Sequence, residues 1–140
     1  MSENLEVVKV GYAAFSRGDL DAAFAALDLD CVIRAGTGMI PAGGDYHGKR
    51  EIFGRWLPEL IANYEDLRFL ADSWIDARET IVVTGTLRTR LRGTAEEIKA
   101  PFCHVWRFRE GKVVEARLFT DTAVTLQAVQ LRDGPVISRV

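Results

Sequence analysis

The hydrophobic periodicity of this chain changes once, near Asp66, and that change limits the fold more than any other feature. Before Asp66 the apolar residues recur every three or four positions, as they do in amphipathic helices. After it, four segments rich in Val, Ile, Thr and aromatic residues alternate apolar and polar side chains, near 67–76, 79–92, 97–109 and 113–120. Helices first and a long antiparallel sheet afterwards predict an α+β domain, in which the helices cover one face of a curved sheet.

The helical half contains three predicted helices and one strand. The first helix covers 5–15, and Asp19 is the expected N-cap of the second, whose apolar stripe runs from Leu20 to Leu27. Residues 31–35 are predicted to form a strand, after which a Gly-rich loop leads to a third helix near Lys49. Pro58 removes a backbone donor from that helix, so we expect a kink or break there.

The size and charge of the chain exclude several classes of protein. Its 140 residues suffice for one hydrophobic core, so we predict a single domain over residues 1–140. Hydrophobic residues make up 48% of the chain, too many for a disordered protein. Because 18 Lys and Arg stand against 20 Asp and Glu, the chain lacks the positive charge typical of proteins that bind nucleic acid or anionic membranes. Neither is therefore an expected partner.

The two cysteines, Cys31 and Cys103, stand among apolar residues of predicted strands. We expect buried free thiols, because one bridge at most is possible and no CxxC or His–Cys spacing suggests a metal site. No metal and no cofactor are predicted. The N-terminal sequence has early acidic residues and no long apolar run, so neither a signal peptide nor a membrane span is expected. The predicted compartment is the cytoplasm.

Alternation places His104 on the apolar face of its strand. A histidine there has two interpretations: a core residue whose nitrogens are both hydrogen-bonded, or the titratable group of a binding pocket. The number of large side chains on one face favours a mostly apolar pocket with one polar group, the usual pattern of a small-molecule site. The residues that share this face are Ile98, Ala100, Phe102, His104, Trp106 and Phe108.

Three segments stand out by their order and spacing: YAAFSRGDLDAAFAAL in the first two helices, GDYHGKREIF at the start of the third, and HVWRFREGKVVEARLFTDTA in the last hairpin. Together they resemble the SnoaL-like and ketosteroid-isomerase-like enzymes of the nuclear transport factor 2-like superfamily, over roughly residues 5–130. The resemblance implies a cone-shaped α+β fold whose curved sheet wraps a deep apolar cavity. It also implies a homodimer formed through the sheet.

The resemblance to steroid isomerases implies a role for His104. It occupies the position of the protonated carboxyl group in their oxyanion hole, and an imidazole can donate the same hydrogen bond to an enolate oxygen. Their catalytic base would fall at Ala35, which has no acidic group, and their oxyanion tyrosine near Gly11, one residue before Tyr12. These departures disfavour a simple steroid isomerase.

The resemblance to SnoaL-like polyketide cyclases implies a general base at Asp121, in the sequence FTDTAVTLQ where the last strand runs into the C-terminal helix. An aspartate directly before a helix is also an ordinary N-cap, so both roles stay open at this point. Strict alternation sends Asp121 to the face opposite Ala116, Leu118 and Thr120, and only a bulge or the strand-to-helix transition would turn it inward.

Other side chains are candidates for the site. Tyr12 lies on the apolar stripe of the first helix, where its hydroxyl either assists in the cavity or is packed against a local acceptor. Arg34 ends the first strand near the expected cavity mouth and would either bind an acidic substrate or stay on the surface. Large apolar side chains complete the predicted substrate-binding set: Phe15, Phe53, Trp56, Phe102, Trp106 and Phe119.

We therefore hypothesise a cofactor-independent enzyme that transfers a proton on a hydrophobic carbonyl compound, in an isomerisation, cyclisation or dehydration. Asp121 would take the proton, His104 would stabilise or reprotonate the oxygen, and Tyr12 would assist. The alternative is a non-catalytic dimeric module that binds a hydrophobic metabolite. Epoxide hydrolysis is a third hypothesis, although it needs paired carboxylates and an arginine around a water. The mixed outer face of the sheet suits a homodimer contact.

Overall fold

The structure, a computed structural model, describes residues 2–134. Short helices and two strands precede a long antiparallel meander and one C-terminal helix. The helices are α1 (Glu3–Ser16), α2 (Leu20–Ala23), α3 (Gly48–Glu51), α4 (Leu57–Asn63) and α5 (Thr122–Asp133), with a π-helical turn (Ile52–Trp56) between α3 and α4. The strands are β1 (Leu27–Arg34), β2 (Asp45–His47), β3 (Tyr64–Asp76), β4 (Thr80–Leu91), β5 (Glu97–Arg109) and β6 (Lys112–Thr120).

The six strands form one sheet in the order β2-β1-β6-β5-β4-β3. β1 runs parallel to β6, and every other neighbouring pair is antiparallel. The four strands after residue 63 are consecutive neighbours in this order, so they form the predicted meander. The α+β architecture predicted from the change of period is confirmed.

Burial along β4 shows how the sheet separates its two faces. Ile81, Val83 and Leu87 have no exposed surface, whereas Val82, Thr84 and Thr86 on the other face are half-buried. Through the register of β4 with β5, Val83 lies opposite His104, which places the imidazole on the same inner face. The predicted orientation of His104 is therefore confirmed, and the core lies between this face and the helices.

A bulge in β3 depends on a glycine in the neighbouring strand. The pairing of β3 with β4 shifts between Ala71 and Ser73. At Gly85, opposite the start of this bulge, an added Cβ would lie 2.1 Å from the carbonyl oxygen of Leu70. Only glycine allows the two backbones to approach so closely.

The structure differs from the predicted elements in three places. α2 ends at Ala23 and β1 begins at Leu27, whereas the sequence predicted a helix to Leu27 and a strand from Cys31. β2 lies inside the predicted loop, where its three residues pair with the end of β1. Pro58 stands in the first turn of α4, where a missing N–H costs no helical hydrogen bond, and the irregularity is the π-helical turn before it.

The predicted cap of α2 and the predicted burial of Cys31 are confirmed, whereas the burial predicted for Cys103 is only partial. The Asp19 carboxylate accepts a hydrogen bond from the backbone N–H of Ala22 at 3.1 Å and caps α2. Cys31 is a buried free thiol, and Cys103 is a free thiol that is only partly buried. Between residues 2 and 134 the structure has no helix that is both long and apolar enough to cross a membrane.

Candidate functional site

A pocket of about 100 Å³ lies between α1, α2 and the inner face of the sheet. This is less than the roughly 150 Å³ of an engineered apolar cavity that binds benzene, so the pocket suits a ligand of about one ring. The connection between β1 and β2 contributes four small or flexible residues to its wall. Eight of the other lining residues are aromatic: Tyr12, Phe15, Phe24, Trp56, Phe69, Trp106, Phe108 and Phe119.

A chain of hydrogen bonds joins three of the polar groups in this wall. The indole Nε1–H of Trp106 donates to the hydroxyl oxygen of Tyr12 at 3.1 Å. That hydroxyl is in turn hydrogen-bonded to Nδ1 of His104. Tyr12 comes from α1, whereas Trp106 and His104 are two residues apart on β5 and point to the same face. The chain therefore connects the helical layer to the sheet inside the pocket.

Burial keeps both titratable members of the chain neutral. It lowers the pKa of His104 to about 3, because the imidazolium would have to give up water without gaining a counter-ion. Burial also raises the pKa of the Tyr12 hydroxyl well above its usual range, partly opposed by the hydrogen bond from Trp106. At neutral pH the site therefore holds an imidazole and a phenol, with no charge on either.

The donor pattern assigns the proton of His104 to Nε2. An indole nitrogen can only donate, so the Tyr12 oxygen accepts from Trp106 and its own proton is left for Nδ1 of His104. The opposite arrangement would aim two donors at the Tyr12 oxygen and leave the buried phenol proton without an acceptor. A neutral imidazole that accepts at Nδ1 carries its proton at Nε2.

We infer that the Nε2–H of His104 faces the pocket. Among the described residues no atom is hydrogen-bonded to it, yet every fully buried side-chain nitrogen or oxygen in that part of the chain has a partner. Nε2 therefore retains accessible surface, and the pocket is the open space that His104 lines. The imidazole itself is held between Phe102 and Phe69, with ring centroids at 4.5 and 4.9 Å.

The predicted substrate-binding residues divide into two groups. Phe15, Trp56, Trp106 and Phe119 line the pocket. The others do not, although Phe102 packs directly on His104 and Phe53 lies edge-on to Phe24, with ring centroids 6.1 Å apart.

Arg34 is held by acidic neighbours instead of facing the pocket. Its guanidinium pairs with Glu115 and with Asp45, each at 2.9 Å. The predicted role of Arg34 in binding an acidic substrate therefore has no support in the geometry, because both carboxylates already satisfy its charge.

Asp121 also lies away from the pocket. It is exposed, and its Oδ1 accepts the backbone N–H of Ala123 at 3.1 Å as the N-cap of α5. The first turn of a helix has N–H groups without helical partners, and a carboxylate there satisfies one of them. The position does not support the predicted role of Asp121 as a general base, and of the two roles that the sequence left open the structure shows the cap.

Several wall residues were missed by the sequence reasoning, and two of them show why. Phe69 packs on His104 from β3, and Met39 reaches the pocket from the connection between β1 and β2. Alternation along β3 could have placed Phe69 on the inner face. Nothing in the periodicity of a Gly-rich connection identifies Met39.

Residues 2–134 contain no group of three His, Cys, Asp or Glu side chains placed to hold a metal ion.

Comparisons with known proteins agree with this architecture. The family model described as SnoaL-like domain matches residues 8–116. The chain belongs to this SnoaL-like family. The family relationship predicted from the three sequence segments is thereby confirmed. No curated protein sequence matches the chain significantly.

Solved structures place the SnoaL-like chain among nuclear transport factor 2-like proteins. One such protein of unknown function, from Burkholderia pseudomallei, is 33% identical with a TM-score of 0.85, over 92% of this chain and 98% of that chain. TerC, co-crystallized with polyporic acid, is 25% identical with a TM-score of 0.80, over 92% and 99% of the two chains. A protein with a ketosteroid isomerase-like fold from Catenulispora acidiphila shares the fold alone, at 15% identity and a TM-score of 0.75, over 91% and 93%.

Proposed function

We propose that the pocket binds a small, largely apolar carbonyl compound and promotes proton transfer on it without a cofactor, as in an isomerisation, cyclisation or dehydration. One observation carries this proposal: the chain from Trp106 through Tyr12 fixes the neutral imidazole of His104 with its Nε2–H facing an apolar pocket. A carbonyl oxygen is the complementary acceptor. It needs a donor in this place, because the rest of the wall would remove its water without replacing the lost hydrogen bond.

The donor acts on the oxygen and not on the carbon. When a proton leaves the carbon beside a carbonyl group, negative charge develops on the oxygen, and a fixed donor stabilises that charge in the transition state. A neutral imidazole of low pKa serves as such a donor without losing its own proton. Tyr12 keeps the imidazole in the required tautomer. Because none of the described lining residues is a strong base, the proposed reaction needs a solvent water to accept the proton from carbon and return it at the other site.

A second candidate is binding without catalysis, and the composition of the wall favours it. None of the described residues that line the pocket carries a carboxylate, and His104 is too weak a base to replace one. The absence of acidic groups and of arginine from the same lining residues gives no support to epoxide hydrolysis, so we do not propose it.

A matched pair of probes tests the binding step. Cyclohexanone and methylenecyclohexane have nearly the same shape, but only the ketone accepts a hydrogen bond. We expect the protein to bind the ketone roughly 3- to 10-fold more tightly, the range of a single neutral hydrogen bond. His104→Asn keeps an acceptor for Tyr12, but its shorter amide group has no donor at the Nε2 position, so this preference should vanish. Equal affinities in the wild-type protein, or a preference that survives in His104→Asn, would contradict the proposal.

Exchange in heavy water tests the catalytic step. Enolisation replaces the hydrogens beside the carbonyl group with deuterium, which NMR detects without knowledge of the natural substrate. The proposal expects faster exchange of bound cyclohexanone than in buffer, with loss of the acceleration in His104→Asn. Tight binding without acceleration would establish the second candidate instead. Polyporic acid is a further probe, because the similar protein TerC was co-crystallized with it.

We also propose that two copies pair through the outer face of the sheet. Two large apolar side chains on this face are about half exposed, namely Leu70 and Ile75. Their strand partners are small or apolar, so the patch continues across β4 and β5 to Val105. Burial of such a patch against a second copy would remove apolar surface from water.

A further inference from the structure

One wall of the pocket is formed by the connection between β1 and β2, residues 35–44, which we call the wall segment. It contributes Ala35, Gly38, Met39 and Ala42 to the lining. Met39 is 9% exposed and Ala42 only 1%, although the segment contains neither helix nor strand. Connections without regular structure are usually mobile, so a fixed wall at this place needs contacts that hold it.

Three hydroxyl groups from three different elements hold the wall segment. Each donates to a backbone carbonyl oxygen that no helix or strand satisfies. The three bonds run from Thr125 Oγ1 of α5 to Gly38 (2.6 Å), from Tyr64 Oη of β3 to Ile40 (2.5 Å), and from Tyr46 Oη of β2 to Gly43 (2.8 Å). The carbonyl groups of the wall segment are thus anchored to the C-terminal helix and to the two edge strands of the sheet.

The wall segment is also tightly folded on itself. The backbone N–H of Gly44 donates to the carbonyl oxygen of Gly36 at 2.6 Å, and that of Ala42 donates to Met39 at 2.7 Å. At Gly43 an added Cβ would lie 2.5 Å from the Gly36 oxygen. A segment so compact has little freedom to rearrange internally, so its position is set by the anchors outside it.

We propose that Thr125 and Tyr64 are positioning residues that hold the wall segment in place and thereby set the size of ligand that the pocket accepts. The inference rests on the proposed function, since it assumes that the pocket takes up a ligand. Neither side chain lines the pocket, so each acts through the wall segment. Both are buried, at 0% and 2% exposure, so a carbonyl deprived of its hydroxyl partner has to move to reach water.

The chain offers a matched control at Thr89. Its Oγ1 donates to the carbonyl oxygen of Glu65 at 2.8 Å, and the residue is 3% exposed. This bond joins β4 to β3 and involves no lining residue of the pocket. Thr89→Val and Thr125→Val therefore remove the same kind of buried bond with the same change of side chain. Only Thr125→Val releases the wall segment.

Binding of a ring-size series measures the size limit. NMR titrations with cyclopentanone, cyclohexanone, cycloheptanone and cyclooctanone give the affinity of each variant for each ketone. We expect Thr125→Val to raise the affinity for cyclooctanone relative to cyclohexanone at least fivefold over wild type, and Thr89→Val to stay within twofold. Tyr64→Phe should act as Thr125→Val does and replaces it if that variant does not fold. A wild-type ratio in both Thr125→Val and Tyr64→Phe would overturn the proposal.

A second measurement needs no ligand. The amide hydrogens of Ala42 and Gly44 are bonded within the wall segment, so their exchange with solvent reports its opening. We expect exchange at least tenfold faster in Thr125→Val and unchanged exchange in Thr89→Val. Equal rates in the two variants would overturn the positioning role. If no ketone binds to any variant, the proposed function fails, and the exchange rates alone decide whether Thr125 holds the wall.

Discussion

Lowering the pH from 7.5 to 5 should destabilise the folded protein through His104. In the unfolded chain this imidazole has its ordinary pKa of 6.5, whereas burial lowers the pKa to about 3 in the folded state. Between these two pKa values the unfolded chain binds a proton on His104 that the folded chain does not bind. The stability is therefore complete above pH 6.5 and declines as the pH falls toward 3.

The size of the effect follows from the difference between the two pKa values. Each pH unit below 6.5 costs about 1.4 kcal/mol for one such group, so the 1.5 units down to pH 5 cost about 2 kcal/mol. Carboxylates contribute little in this window. Asp76, Glu97 and Glu115 have folded pKa values below their ordinary 3.8 and 4.5, and most of their stabilisation is lost only below pH 4.5.

Urea unfolding at the two pH values measures the effect, with His104→Asn as the control. Asparagine cannot titrate, and its side-chain oxygen can still accept the Tyr12 hydroxyl. We expect the free energy of unfolding of the wild-type protein to fall about 2 kcal/mol more than that of His104→Asn, at one fixed protein concentration so that any self-association cancels. If both proteins lose the same stability, His104 accepts its proton in the folded state, and the assignment of a neutral donor in the pocket is wrong.

Three further outcomes are expected. Asp121→Asn should keep both the cap and any proton-exchange activity. Asp121→Ala should lose about 1 kcal/mol of stability with the activity unchanged. Loss of activity in Asp121→Asn would show that Asp121 is the catalytic base predicted from the sequence. Trp106→Phe should free the Tyr12 hydroxyl and mix the two tautomers of His104, seen as averaged imidazole ¹⁵N shifts, whereas unchanged shifts would show that Trp106 does not set the tautomer. Val105→Glu should convert a dimer to a monomer in light scattering, and a wild-type protein that is already monomeric would contradict pairing.

The inner face of the sheet was predictable from sequence because alternation is a local property. It placed His104 and Trp106 together without knowledge of any other element. The hydrogen bond between Tyr12 and His104 joins residues 92 positions apart, and which residue of the α1 stripe reaches the imidazole depends on how the helix sits on the sheet. The role of Asp121 depended on one junction, where strand geometry gives way to a helix cap and no sequence pattern decides the direction of the side chain.

The wall segment shows a second limit of sequence reasoning. A stretch rich in glycine is correctly predicted to lack helix and strand, yet Met39 and Ala42 are as buried as strand residues. Their burial depends on hydroxyl groups of Tyr64 and Thr125, which lie 24 and 87 residues away from the carbonyl groups they bind. A threonine in the first turn of a helix and a tyrosine at the start of a strand carry no sign of such a bond in the sequence.

The burial through which His104 destabilises the folded protein at acid pH also makes this residue an effective hydrogen-bond donor to a ligand. A histidine exposed to water would be a stronger base. Near its ordinary pKa, however, half of the imidazole groups would be protonated, and the N–H group would already be hydrogen-bonded to water. Inside the pocket the imidazole is a weak base, and its free N–H has no partner within residues 2–134 until an acceptor arrives. The hydrogen bond to a carbonyl oxygen then forms in a medium of low dielectric, where it is stronger than in water. A carbonyl ligand bound at Nε2 should remove part of the open space around this atom and lower the pKa of His104 further. The affinity for the ligand should therefore increase from pH 3 to pH 5 and change little above pH 5.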